Sequence, residues 1–341
     1  MMKNFFIFAF LFIGLNLSAK GKNELTVLQW NIWQEGTVVP GGYDAIVNEI
    51  VRLKPDFVTF SEVRNYNKTR FNDRIIQSLQ AKGLTYYSFY SYDSGLLSKY
   101  PLTDSLTVFP HKGDHGTIYK LTTLVGGHPI AVYTAHLDYQ NCAYYNVRGY
   151  DGITWKETAL PQSVDEILQL NVASLRDDAI RLFIDDAQQA VAKGYNVILG
   201  GDFNEPSHRD WLEENKDLYD HNGFVVPWSV TTLLENSGFV DAYRKVYPNP
   251  LTHPGFTYPS DNSLMKVGKL TWAPKSDERE RIDFIFYRGK NIEARKAVIF
   301  GPDRSIVKSQ RLKEHTQDRF LKPLNVWPTD HKAVLVTFKL R

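Results

Sequence analysis

The chain of 341 residues is 43% hydrophobic, 23% charged and 13% aromatic, with a formal net charge of +2. That composition excludes a disordered or low-complexity chain and lacks the strong basic bias of a dedicated nucleic-acid binder. A single cysteine, Cys142, excludes an internal disulfide, and the length allows one large domain or two small ones.

Residues 1 to 19 read as a removable leader. Lys3 supplies a positive start, Phe5 to Leu15 is an apolar run too short for a comfortable membrane span, and Ala19 precedes the cut before Lys20. The expectation is an exported protein, with a retained membrane anchor as the alternative. No cysteine follows the run to carry a lipid. Residues 20 to 341 show no linker or repeat and are expected to form one domain, monomeric and with no membrane span.

Apolar residues then alternate along Leu25 to Trp30 as a strand, and Tyr43 to Leu53 carries Ile46, Val47, Ile50 and Val51 at helical spacing before Pro55. Phe57 to Phe60 reads as a strand and Phe71 to Ala81 as a helix closed by Gly83. A run of strands follows: Tyr86 to Tyr92, Gly95 to Ser98, Leu106 to Phe109, Ile118 to Val125 and Pro129 to Thr134, the last two joined by Gly126-Gly127. The pattern breaks from Asp138 to Pro161, a long loop rich in tyrosine and holding Arg148 and Trp155; such loops in compact domains are usually functional. Val172 to Ala192 is the strongest helix, and Tyr195 to Leu199, Ile282 to Tyr287 and Ala333 to Leu340 read as strands. Alternating strands and helices with a mixed sheet predict an α/β fold, two layered sheets flanked by helices.

Polar residues recur where these strands end. Gly200-Gly201-Asp202-Phe203-Asn204 closes the strand after the long helix, and alternation sends Asp202 and Asn204 to the same side. Trp30-Asn31, Ser61-Glu62 and Thr134-Ala135-His136 close other strands, Arg281-Ile282-Asp283 opens a late one, and Thr329-Asp330-His331 precedes the last. With Gly95-Leu96-Leu97-Ser98-Lys99-Tyr100-Pro101, these motifs resemble, in order and over nearly the whole chain, the endonuclease/exonuclease/phosphatase superfamily. The resemblance implies a four-layered α/β sandwich, two mixed β-sheets packed face to face and flanked by helices.

It also implies a metal-dependent phosphoric ester hydrolase. A phosphodiester is anionic and repels nucleophiles, so a hard divalent cation that neutralises its oxygens suits the chemistry. Mg²⁺, with Mn²⁺ as the alternative, would be held by Glu62, with Asn31 and Asp330 near the ion directly or through water. Asp202 would orient and deprotonate the attacking water, and Asn204 would hold the phosphate or that water. Asp283 would fix the tautomer of His331, which contacts the phosphate or shares the base role. His136 would stabilise a phosphoryl oxygen or protonate the leaving oxygen. Trp33 stands where the base-excision branch carries an acid, which points instead to the two-histidine branch of deoxyribonuclease, neutral sphingomyelinase and inositol 5-phosphatase type. Arg148, Tyr150, Trp155 and Tyr258 are the expected substrate contacts. The expected substrate is a small phosphodiester such as a lipid headgroup or sugar-phosphate; the alternatives are a secreted nuclease and a non-catalytic binding protein on the same fold.

Overall fold

A computed structural model of the chain describes residues 23–110 and 115–341; the expected leader at 1–19 lies outside them. In chain order the elements begin β1 (Glu24–Asn31), α1 (Gly42–Leu53), β2 (Phe57–Ser61), α2 (Phe71–Ala81), β3 (Gly95–Ser98), β4 (Leu102–Phe109), β5 (Gly116–Val125) and β6 (His128–Leu137). They continue with α3 (Ala143–Asn146), α4 (Val164–Asn171), α5 (Arg176–Ala192), β7 (Asn196–Asp202), α6 (Ser229–Asn236), β8 (Val240–Asp241), α7 (Ala242–Val246) and β9 (Asp283–Arg288). The chain ends with β10 (Ile292–Phe300), β11 (Arg304–Val307), β12 (Gln310–Lys313), β13 (Phe320–Leu321) and β14 (Ala333–Leu340).

The strands form two mixed six-stranded sheets, ordered β13-β10-β14-β1-β2-β3 and β4-β5-β6-β7-β9-β8, and a β11-β12 hairpin. Their facing surfaces bury Leu25, Val27, Phe57 and Val336 from one sheet against Leu121, Val132, Ile198 and Ile285 from the other. Ile46, Ile50, Ile75 and Leu79 of α1 and α2 cover the back of the first sheet. Ile180, Phe183 and Ala187 of α5, with Val230 and Leu234 of α6, cover the back of the second. This is the four-layered sandwich the motifs imply, and amphipathic helices on apolar sheet faces explain its layering.

Two expected elements differ. Tyr86 to Tyr92 is not a strand; its backbone bridges β3 at Tyr87 and Ser98, and the Ser88 hydroxyl donates to the Leu96 carbonyl at 2.7 Å. The helix expected over Val172 to Ala192 begins at Arg176, and a separate helix, α4, precedes it. Ser163 accepts a hydrogen bond from the Glu166 N–H at 3.2 Å and starts α4, a cap readable as Ser-x-x-Glu.

Register places the chemistry. Along the second sheet, His136 of β6 pairs with Asp202 of β7, which pairs with Asp283 of β9. In the first sheet Asn31 of β1 pairs with Ser61 of β2. Gly200 lets the sheets approach here: a Cβ on it would lie 2.2 Å from Thr59 Oγ1 of the facing sheet.

Candidate active site

Strand ends from both sheets meet in a cavity of about 360 Å³ lined by Glu62, His136, Asp202, Asn204, Asp330 and His331 among others. Behind them lies a buried polar layer. Thr59 Oγ1 donates to Gln29 Oε1 at 2.6 Å, and Gln29 Nε2 donates to Ser61 Oγ at 3.2 Å and to Asp283 Oδ1 at 3.3 Å. Ser61 Oγ donates to the Ala135 carbonyl and accepts the Asp202 N–H at 3.1 Å. Each strand end is thus tied across the sheets before any catalytic side chain is placed, which is how a site acquires fixed geometry.

Asn31 sits at the centre. Its amide nitrogen donates to Asp202 Oδ2 at 2.9 Å and to Glu62 Oε1 at 3.2 Å, and lies 3.4 Å from His331 Nε2. The Trp33 N–H occupies its oxygen, which fixes the amide's orientation. Asn31 therefore turns its donor toward the acids and orders their carboxylates. Trp33, Gln34 and Glu35 all have positive φ, and this left-handed turn brings the Gln34 N–H to Glu62 Oε2 at 3.0 Å. Glu62 itself has φ 65°, a strained conformation of the kind that collects at functional sites.

His331 Nδ1 pairs with Asp283 Oδ2 at 2.9 Å, and its Nε2 is 3.8 Å from Asp202 Oδ2. Burial alone would lower this imidazole's pKa, but Asp283 and then Asp202 outweigh burial and lift it to about 10. Burial, then the Asp283 charge, pushes Asp202 up to about 6. Burial and the charge of Glu62 push Asp330 up to about 7. Asp202 accepts the Asn204 N–H at 2.9 Å, while Asn204 Nδ2 donates to the Leu137 carbonyl. Tyr258 packs against His331 with the rings tilted at 46°, centroids 4.8 Å apart, and its hydroxyl is buried.

The motifs did not reveal Asp93. Its Oδ2 lies 2.5 Å from His136 Nδ1, forming a second carboxylate–histidine pair in the cavity lining. Burial lowers the His136 pKa, and Asp93 reverses that and raises it to about 9. Asp93 sits between stretches read as strands, and no spacing rule links it to a residue 43 positions away.

The residues fit a hard divalent cation best at Glu62 and Asp330. Each Glu62 oxygen accepts a single hydrogen bond, and Asp330 Oδ1 accepts one weak bond from Thr329 Oγ1 at 3.3 Å. Two carboxylates that repel one another, each with spare lone pairs, are an oxygen donor set short of positive charge. Asp202, Asp283 and His331 also cluster, with ligand atoms within 4.8 Å of one another. There the Asp283 carboxylate is paired with the His331 imidazole, which lies toward Asp202, so that cluster is suited to handling protons.

Of the expected substrate contacts, Trp155 and Tyr258 line the cavity, and Arg148 and Tyr150 do not. Arg148 is buried; it pairs with Glu280 at 2.7 Å and donates to the carbonyls of Tyr144, Tyr219 and Asp277. The Tyr150 hydroxyl accepts the Lys275 N–H. Both anchor the long loop to the body of the protein. Arg148→Met should therefore cost about 3–5 kcal/mol in urea unfolding, because the buried Glu280 loses its guanidinium partner and keeps only the Trp211 N–H and the nearby His221 ring. A raised KM at unchanged stability would contradict that structural role. Arg64, which the motif reading passed over, does line the cavity, with a buried Nε that has no partner among the described residues.

Comparison with known proteins gives a consistent picture. The model of the Endonuclease/Exonuclease/phosphatase family matches residues 28–331. An uncharacterized protein of Caenorhabditis elegans is 26% identical over 338 residues, covering 98% of this chain and 97% of that one. Among solved structures, truncated C. elegans TDP2 superposes with a TM-score of 0.51 at 18% identity, covering 93% of this chain and 97% of that one. D. rerio TDP2 complexed with single strand DNA product gives 0.52 at 15% identity, with coverage of 93% and 99%. An endonuclease/exonuclease/phosphatase from Bacteroides vulgatus gives 0.51 at 14% identity, with coverage of 94% and 100%. At these identities the solved structures speak to the fold.

Proposed function

This chain belongs to the endonuclease/exonuclease/phosphatase family, whose members are divalent-metal-dependent phosphoesterases and nucleases, and from that premise we propose that it hydrolyses a small phosphodiester by attack of water. The observation that carries the reading is the make-up of one cavity. It joins Glu62 and Asp330 to two histidines, each paired with a carboxylate, and Asp202, yet Arg64 is the sole lysine or arginine lining it among the described residues. Nucleases neutralise several phosphates with a basic track, and this cavity supports only local phosphate contacts.

Glu62 and Asp330 would hold the cation, Mg²⁺ or Mn²⁺, which supplies charge neutralisation at the phosphoryl oxygens. Asp202 takes a proton from the attacking water as the new P–O bond forms. Asn31 holds the Asp202 carboxylate in place, and the His331 imidazolium, steadied by Asp283, faces the charge that builds on the phosphoryl oxygens. The P–O bond to the leaving group breaks on the opposite side, and His136, steadied by Asp93, gives that oxygen its proton. Solvent then returns the proton from Asp202 to His136. Geometry favours Asp202 over His331 as base, because His331 Nδ1 is committed to Asp283 and its Nε2 lies toward Asp202.

Export is part of the proposal and rests on the leader-like residues 1–19. Among the described residues no helix is long and apolar enough to cross a membrane. The test is a panel of bis(p-nitrophenyl) phosphate, p-nitrophenyl phosphate, DNA and RNA, each with Mg²⁺ and with chelator. The expected result is chelator-sensitive cleavage of the small diester, changing little between about 50 and 200 mM salt. Preferred cleavage of DNA with a steep loss of rate over that range would replace this reading with a nuclease.

A further inference from the structure

The cavity has a second, aromatic end. Trp272 lies 5.2 Å from Trp155 between centroids, Trp155 meets Tyr145 edge-on at 4.9 Å, and Tyr145 lies 4.4 Å from Tyr144. All four rings line the cavity that also holds Glu62, Asp202 and His331. The outermost ring, Trp272, is 51% exposed. A large indole left half in water is not what core packing would produce.

The wall is held firmly. The Trp272 and Ala273 N–H groups both donate to Glu278 Oε2 at 3.1 Å, and the Thr271 hydroxyl donates to Glu278 Oε1. Trp155 sits at φ 58° in a tight turn, its N–H donating to the Asp151 carbonyl, while Asp151 Oδ1 accepts from Ile153, Thr154 N–H and the Thr154 hydroxyl.

Resting on the phosphodiesterase reading, we propose that the non-reacting arm of the substrate carries a ring whose face packs on Trp272, backed by Trp155, while the phosphate sits at the acid end. The shared chemistry is a ring face, that of a nucleobase or of a sugar. The geometry disfavours a quaternary ammonium group. Such a cation is caged by several open ring faces. Here Trp155 and Trp272 cover one another, and Tyr145 meets Trp155 at 79°. Of these four rings, Trp272 is the exposed one. Glu278 acts as a positioning residue for that wall.

The experiment compares four p-nitrophenyl phosphodiesters whose second arm is methyl, thymidine, glucosyl or choline, in Mg²⁺. The expected result is a kcat/KM about tenfold or more higher for a ring-bearing arm than for methyl, the scale of a single stack, carried mainly by KM. Comparing thymidine with glucosyl identifies which ring is taken. Trp272→Ala should bring the ring-to-methyl ratio close to one, and Trp272→Tyr should restore most of it. Glu278→Gln should raise KM for the ring substrate more than it lowers kcat. Equal rates for ring and methyl arms, an unchanged ratio in Trp272→Ala, or a preference for choline would overturn the proposal. If no ester is cleaved, the phosphodiesterase reading fails on its own. Quenching of tryptophan fluorescence by thymidine monophosphate, absent with methyl phosphate and absent in Trp272→Ala, then still decides whether the ring stacks.

Discussion

Asp202→Asn is expected to lower kcat for bis(p-nitrophenyl) phosphate by about a hundred- to ten-thousandfold, with little change in KM. The amide keeps the shape of the carboxylate but cannot take the proton of the attacking water. The fold should survive. Asp202 is held by the Asn31 amide and the Asn204 N–H, so the substitution loses one of these hydrogen bonds. It also removes one of two buried negative charges, Asp202 and Asp283, that sit opposite each other on β7 and β9. These effects oppose each other, and the unfolding midpoint should move little. Steady-state kinetics with a parallel urea melt checks both halves. A variant that keeps full activity would remove Asp202 from the base role, and one that unfolds at low denaturant would make it chiefly structural.

The second large effect is expected at the His136–Asp93 pair. Protonated His136 is the form that serves the leaving oxygen. Its folded pKa of about 9 stands above its ordinary value of 6.5, because Asp93 outweighs burial. The contribution of this pair to stability is therefore complete below the unfolded value and is lost as pH rises through about 9. Activity should follow the same limb and fall with rising pH. A bound cation near Glu62 offsets part of that carboxylate's pull on His136, so the limb in the metal-loaded enzyme lies at or below this value. In Asp93→Asn burial is opposed only by the weaker pulls of Asp202 and Glu62, and the limb should move down toward the ordinary histidine range. At pH 8 the loss should reach about a hundredfold for a diester with an alkoxide leaving group. It should be small for p-nitrophenyl esters, whose leaving group needs no proton. A pH–rate profile on both ester types checks this. An equal loss on both would mean that His136 binds the phosphoryl oxygens and does not act as an acid.

The parts of the molecule that were legible from sequence share a physical reason. Phe71–Ala81, Gly95–Ser98 and Ala333–Leu340 match their expected bounds because each buries a continuous apolar face against a sheet or helix. Asp202, Asp283 and His331 were legible because strand ends carry local motifs, and register brings those ends together. Asp93 was not, because its partnership with His136 is set by an irregular segment whose aromatic run imitates a strand. Arg148 misled for the converse reason. A basic residue in an aromatic loop looks like a phosphate contact, but its partner Glu280 lies 132 residues away and claims it. The amide of Asn31 shows the same limit at finer grain, since only the Trp33 N–H decides which end faces the acids.

The central claim, a divalent cation held at Glu62 and needed for diester cleavage, is tested most directly by titrating Mn²⁺ into the native protein and into Glu62→Gln under electron paramagnetic resonance, with diester hydrolysis followed in the same samples. Native protein should take up the ion and gain activity in step. Glu62→Gln should bind it at least about tenfold more weakly and show little turnover. Binding and hydrolysis that are the same in both proteins would contradict the account.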